Sequence, residues 1–304
     1  MTSTWRTAWE FTRPHTVLAT SATVATLWVL RWAGGQVGPG ALADLVLVLF
    51  VCLATNVYIT GLNQVLDVDI DRINKPHLPL PSGALTRRGG LVASLVCGAV
   101  ALTLGWRLSV PLGVTVAIGV VVGTAYSVPP VRLKRFPVPA ALSILLVRGL
   151  VLTLGVWWHL AGGFGPVPGA VAVLAGAATV FGLVVAVFKD LPDREGDAAY
   201  GIRTFTTQGG AVTVLRAATA LLTGTYLAIA VAAPWIEALQ PAVLAAGEVL
   251  CAVLVLRLRA GTDVGVPVSV ARGYQRTWQT FYLHHLTVAA AALAASGVPA
   301  LVLR

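Results

Sequence analysis

Three observations in the sequence predict an all-α protein, a multi-pass transmembrane bundle of about nine helices. Only 11% of the 304 residues are charged and 57% are hydrophobic, whereas a soluble domain carries about 25% charge to cover its surface. Several apolar runs reach the roughly 20 residues that cross a bilayer core as helix. The joins between these runs alternate short and long, which puts every long join on one face of the membrane. The short alternating segments of a transmembrane β-barrel are absent.

Taken in order, apolar runs between Gly, Pro and charge clusters place helices at roughly 15–33, 41–65, 89–106, 109–126, 138–160, 168–188, 211–232, 238–258 and 280–303. The stretch before the first run lacks the charged start and short apolar core of a cleaved signal, so that span is expected to remain. The second run ends in acids. Tight joins from Gly105 to Val110 and from Gly162 to Pro168 read as hairpin turns, while those at 66–88, 127–137, 189–210 and 259–279 are long and polar. The chain, 1–304, reads as a single integral-membrane domain. Cys52, Cys97 and Cys251 lie in apolar runs without CxxC or His partners, as small buried hydrophobes do.

Charge orients the bundle. The N-terminus and the long joins hold 16 of the 21 Lys and Arg residues, and the opposite face holds three. The positive-inside rule puts the N-terminus and long joins in the cytoplasm and the C-terminus outside, in the cell's plasma membrane. The net charge of +9 is thus first a matter of topology, and nucleic acid is not needed to explain it.

Topology does not require the placement of the acids. Seven of twelve fall in two clusters, each at the cytoplasmic end of an apolar run. In the first, Asn63, Asp67 and Asp71 are spaced i, i+4, i+8, so a continuing helix stacks them on one face while Asp69 points elsewhere. Stacked like charges at a helix C-terminus repel each other and the dipole, and a bound cation removes both penalties. Magnesium suits such a site because it takes hard oxygen ligands and binds through one or two carboxylates plus substrate phosphates. In the second cluster Asp190, Asp193 and Asp197 are spaced i, i+3, i+7, again one face of a helix, while Pro192 and Gly196 disfavour a regular helix and offer a broken turn as the other way for the carboxylates to converge. Two ions bridging one substrate would stand about 3.5–4 Å apart.

Cations flank these acids: Arg72 and Lys75 after the first cluster, Arg132, Lys134 and Arg135 beyond Tyr126, and Lys189 and Arg203 around the second. All three lysines of the chain are among them. Together they describe a site for divalent metal and a polyanion, most simply a diphosphate. At the mouth of an apolar bundle, such a site suits an anionic head on a long hydrocarbon tail, the form of an isoprenyl diphosphate. Trp157, Trp158, Phe181 and Phe188 offer ring faces to a developing carbocation, with packing as their ordinary role.

Asn63-Gln64-x-x-Asp67-x-x-x-Asp71 and Lys189-Asp190-x-x-Asp193-x-x-Gly196-Asp197 resemble the two signature motifs of the UbiA superfamily of intramembrane prenyltransferases, in the form of the homogentisate phytyl or solanesyl transferase branch. Asn74-Lys75-Pro76 with Leu80-Pro81-Ser82-Gly83, the stretch Tyr126 to Phe136, Val147-Arg148-Gly149 and Tyr200-Gly201-Ile202-Arg203-Thr204-Phe205 resemble it too, in order from about residue 56 to 210. The resemblance implies a nine-helix bundle with an active site opening to the cytoplasm and a lateral opening for the prenyl chain. It implies one Mg2+ on Asn63, Asp67 and Asp71 and a second on Asp190, Asp193 and Asp197. Arg72, Lys75, Lys134, Lys189 and Arg203 would contact diphosphate, with Tyr126 near the reacting carbon. Asp69 and Glu195 fit no ligand position. Arg148 is an intramembrane cation and so a functional candidate by cost alone; an acceptor carboxylate, a helix carbonyl and a motif acid are all open as its partner.

The reaction this implies is Mg2+-dependent transfer of an isoprenyl group from its diphosphate to a small aromatic acceptor, homogentisate or another phenolic acid or quinone precursor, without an obligate protein partner. Two alternatives remain at this level: an intramembrane terpene cyclase on the same scaffold, and a cation-coupled transporter, whose acids belong near the bilayer midplane in broken helices. His284 and His285 open the last span, placed either at the interface or on the cavity wall, and His159 and Glu248 have no partner that the sequence can name.

Overall fold

The computed structural model describes residues 4–36, 38, 40–189, 191, 204–206 and 210–297. All regular structure among them is helical: α1 (Thr4–Phe11), α2 (Pro14–Ala33), α3 (Ala41–Leu66), α4 (Val68–Asn74), α5 (Arg87–Leu108), α6 (Val110–Ser127), α7 (Pro137–Leu145), α8 (Leu152–Leu160), α9 (Gly169–Phe188), α10 (Ala211–Ala232), α11 (Pro241–Ala260) and α12 (Pro267–Ser296). A single π turn, Leu146–Val151, joins α7 to α8 within one span. Local chemistry sets these limits. Pro sits in the first turn of α2, α6, α7, α11 and α12, where the missing N–H costs nothing. Ser109 both ends α5 and caps α6 by accepting from the Leu112 N–H, which makes the join between them one residue long.

Among the described residues, seven spans are long and apolar enough to cross a membrane. The first and last of the nine expected are long helices too, but their buried faces carry Thr16, Thr20, Thr23 and Thr26 in α2 and Thr277, Thr280, His284 and His285 in α12. Each helix packs on the next, α2 on α3, α3 on α5, α5 on α6, α6 on α8, α7 on α9, α9 on α10, α10 on α11 and α11 on α12; α12 then packs back on α2 and closes the ring. Small residues let the helices approach: at Gly98 of α5 an added Cβ would meet the Tyr58 ring of α3 at 2.5 Å. Large apolar side chains point outward, among them Phe50, Val92, Leu95, Val96, Leu142 and Leu286. Lipid is the solvent such a surface fits.

The structure departs from sequence expectation in three places. The helix carrying the first acidic cluster does not continue: Asp67, at φ −108° and ψ 11°, ends α3, and α4 restarts at Val68. The last helix begins at Pro267 rather than near 280, because its first turns are amphipathic: Ser269, Val270, Gly273, Thr277 and Trp278 are buried while Arg272, Gln275 and Arg276 are exposed. Periodicity of that kind is invisible to a search for apolar runs. The N-terminal stretch forms α1, whose Phe11 packs against Val65, Val68 and Leu80.

Candidate active site

Asp67 closes α3 by donating its N–H to the carbonyls of Asn63 (3.0 Å) and Gln64 (3.3 Å), and its own carbonyl accepts from the Asp71 N–H (2.8 Å). Despite the break, the register is kept. Asn63 Nδ2 donates to Asp67 Oδ2 at 2.8 Å, and Asp69 turns outward to an exposed ion pair with Arg72 at 2.6 Å. Gln64, the second residue of the motif, donates to the Phe11 carbonyl at 2.8 Å and so ties α1 to the site.

Both facing acids are buried and engaged by cations. Arg132 Nη2 lies 3.1 Å from Asp67 Oδ1, Lys134 pairs with the same oxygen, and Arg13 Nη2 lies 3.5 Å from Asp71 Oδ2. Arg13 and Arg132 are two of the three non-glycine residues with positive φ among the described residues, at 59° and 37°. Backbone in this region costs a non-glycine residue about 1–3 kcal/mol, and here the cost falls where cations meet motif acids. Burial is the largest influence on Lys134 and pushes its ammonium below the ordinary lysine range; Asp67 pulls it back up, and the charges of Arg132 and Lys189 push it down again.

Several of these residues line a cavity of about 600 Å³. Arg13, Asn63, Asp67, Asp71, Lys75, Lys134 and Lys189 line its polar end, Tyr126, Arg148, Tyr274 and Trp278 its walls, and Ile59, Val116, Val122, Ile144, Val151 and Leu152 its apolar depth, with Cys52 among them. From Asp67 to Cys52 is 15 residues, about 22 Å at 1.5 Å per helical residue. Arg148 projects from the π turn with its guanidinium carbon 5.2 Å from the centre of the Trp278 ring.

The cavity therefore gathers Asn63, Asp67, Asp71, Lys75, Tyr126, Lys134, Arg148 and Lys189 from the sequence expectation. Arg72 does not line it. Asp190, Asp193, Asp197 and Arg203 lie outside the described residues. Among the described residues no three His, Cys, Asp or Glu side chains converge as a metal cluster; the donors of the first motif are two carboxylates and an amide. Trp157, Phe181 and Phe188 are buried in the packing of the bundle, and Trp158 donates to the Gly165 carbonyl; none lines the cavity. Trp278 and Tyr274 do, on the stretch of α12 that hydropathy misses. Arg13 is another residue the sequence does not flag, since its acid lies 58 positions away.

The remaining polar residues find partners elsewhere. His284 Nδ1 lies 2.8 Å from Glu248 Oε1, both fully buried, and His285 Nε2 lies 3.1 Å from Thr23 Oγ1. At the opposite face His159 bridges Asp44 and Ser109, at 3.1 and 2.7 Å. These contacts latch helices together.

A ring of apolar helices enclosing a cavity that joins a cluster of buried charges to an apolar depth is the architecture of an intramembrane enzyme. The chain belongs to the UbiA prenyltransferase family, whose model matches residues 22–279. It is 43% identical to a homogentisate phytyltransferase of Synechocystis sp. over 91% of this chain and 92% of that one. It is 31% identical to the chloroplastic homogentisate solanesyltransferase of Arabidopsis thaliana, over 91% and 74%. In fold it is similar to a UbiA homologue from Archaeoglobus fulgidus bound to GPP and Mg2+, with a TM-score of 0.67 at 18% identity, covering 93% of this chain and 99% of that one.

Proposed function

We propose that this chain transfers an isoprenyl group from an isoprenyl diphosphate to a small aromatic acceptor of the homogentisate kind. The observation that carries this reading is the cavity, with its ring of cations and two acids at the mouth and its apolar depth. The relatives named for homogentisate prenylation support the aromatic acceptor.

In this reading Lys75, Lys134 and Lys189 hold the diphosphate at the mouth, with Arg203, outside the described residues, joining them. The carbon–oxygen bond to the diphosphate breaks, the leaving group takes the electron pair, and the apolar walls keep water from the allylic cation. Tyr126 stands beside the reacting carbon. An acceptor ring carbon supplies the new bond's electrons, and the ring then loses a proton to solvent, or, where the arm's carboxylate leaves as carbon dioxide, that proton ends on the remaining methylene, which becomes a methyl group.

The donor set of the first motif, two buried carboxylates and an amide on one face, is all hard oxygen and fits magnesium. Asn63, Asp67 and Asp71 would hold one ion and Asp190, Asp193 and Asp197 a second, and the metal's chemistry is neutralisation of charge on the leaving diphosphate. Arg13, Arg132 and Lys134 balance Asp67 and Asp71 from the protein side. The loop charges support a bundle in the plasma membrane with the site toward the cytoplasm, N-terminus inside and C-terminus outside.

The test is diphosphate release by purified protein in detergent with Mg2+ and a prenyl diphosphate. Release that requires 2,5-dihydroxyphenylacetate supports transfer; equal release without any acceptor, with a hydrocarbon product, overturns it in favour of cyclisation.

A further inference from the structure

Arg148 is the twelfth residue of the span Pro137–Leu160, about 16 Å along the helix from Pro137 at the cavity mouth. A cation at that depth is costly and ordinarily paired. Among the described residues its guanidinium makes no ion pair; it lies over the ring of Trp278, with the Tyr274 and Tyr282 side chains near enough to act on its charge. The facing acids nearest in function are engaged by other cations, Asp67 by Arg132 and Lys134 and Asp71 by Arg13.

Its position is fixed from two sides. The π turn Leu146–Val151 swings it into the cavity wall. The next residue, Gly149, packs so closely on α9 that an added Cβ would meet the Thr179 Cα at 2.4 Å. Trp278 is equally held. Its ring meets Phe181 at 5.1 Å edge-on and His15 at 5.0 Å, and Tyr282 Oη donates to the His15 carbonyl at 2.8 Å. A guanidinium lying over a ring still presents its N–H fork at the edge, where a carboxylate fits bidentately.

We propose that Arg148, backed by Trp278, receives the carboxylate arm of the aromatic acceptor and selects acceptors that carry one. This rests on the reading of the chain as an aromatic prenyltransferase. The division of labour follows from depth: the lysines at the mouth take the diphosphate, and the deeper, separate cation takes a second anion borne on a ring small enough to share the cavity. Arg148 is a specificity residue in this scheme, with no proton to move.

The test compares 2,5-dihydroxyphenylacetate with its methyl ester, using the full chain in detergent, the parent and R148Q, with R148K as the charge-retaining variant. Binding of each probe is followed by calorimetry and turnover by product mass. The acid is expected to lose affinity in R148Q by roughly 10-fold or more beyond any loss with the ester, in keeping with the usual strength of a charge-assisted hydrogen bond. R148K should recover part of it, and the KM for prenyl diphosphate should stay within about twofold. Equal losses with acid and ester, or a raised KM for prenyl diphosphate with acceptor affinity unchanged, would overturn the proposal. If R148Q does not fold, an R148K variant whose preference for acid over ester falls below the parent's supports it, and one whose preference equals the parent's overturns it. Arg148-dependent binding of the acid without turnover on any acceptor would sink the transferase reading and leave the anion site standing.

Discussion

At the residue scale, the site is a balance of buried charges. Asp67 faces Asn63, Arg132 and Lys134, so its removal should do more to chemistry than to folding: Asp67→Asn keeps the size and a hydrogen-bonding oxygen. Turnover is expected to fall about 10²–10³-fold, the usual loss when one preorganised charge-stabilising group goes, while the yield of folded protein by size-exclusion chromatography stays near the parent's. Activity within tenfold of the parent would remove Asp67 from the site. Lys134 is expected to act on the other substrate: Lys134→Gln should raise the KM for prenyl diphosphate by about 10-fold or more, with the acceptor KM little changed, as loss of a charged hydrogen bond implies.

At the element scale, close contacts and buried pairs set the cavity's shape. Gly149 allows α9 to lie against the π turn; Gly149→Val should lower stability by about 1–3 kcal/mol, the ordinary cost of overpacking, read as an earlier thermal unfolding midpoint, with activity reduced alongside. The Glu248–His284 pair joins α11 to α12 away from the cavity. Glu248→Leu strands a buried imidazole and should cost about 1–3 kcal/mol, whereas a midpoint equal to the parent's would deny the pair a structural role. The sequence shows some of these elements better than others. The i, i+4, i+8 spacing of Asn63, Asp67 and Asp71 is legible because the register survives the break at Asp67. Trp278 and Tyr274 are not, because the lower half of α12 alternates buried and exposed faces instead of being apolar throughout. Arg13 reaches an acid from a distant part of the chain, and spacing carries no trace of such a contact. The π turn at Arg148 leaves no compositional mark either.

At the scale of the whole molecule, nine long helices among the described residues form a ring closed by α12 on α2, and one end of its cavity is charged. Their number and order are legible in hydropathy, since each must bury its backbone hydrogen bonds within itself to cross lipid. The orientation rests on charge and is open to test by cysteine labelling. Ser82→Cys, between α4 and α5, should react with an impermeant maleimide only from the cytoplasmic side, and Gly163→Cys, between α8 and α9, only from outside; the reverse pattern would invert the bundle. The native Cys52 and Cys251 are buried and should not interfere, and the half-buried Cys97 is replaced by Ala in both variants. Most direct of all is to quantify prenylated acceptor and free diphosphate in the same reaction, with Mg2+ and after chelation. One cavity that holds both substrates should yield them in equal amounts, both falling to background without the metal; diphosphate in excess of product, or product formed after chelation, would contradict magnesium-dependent transfer.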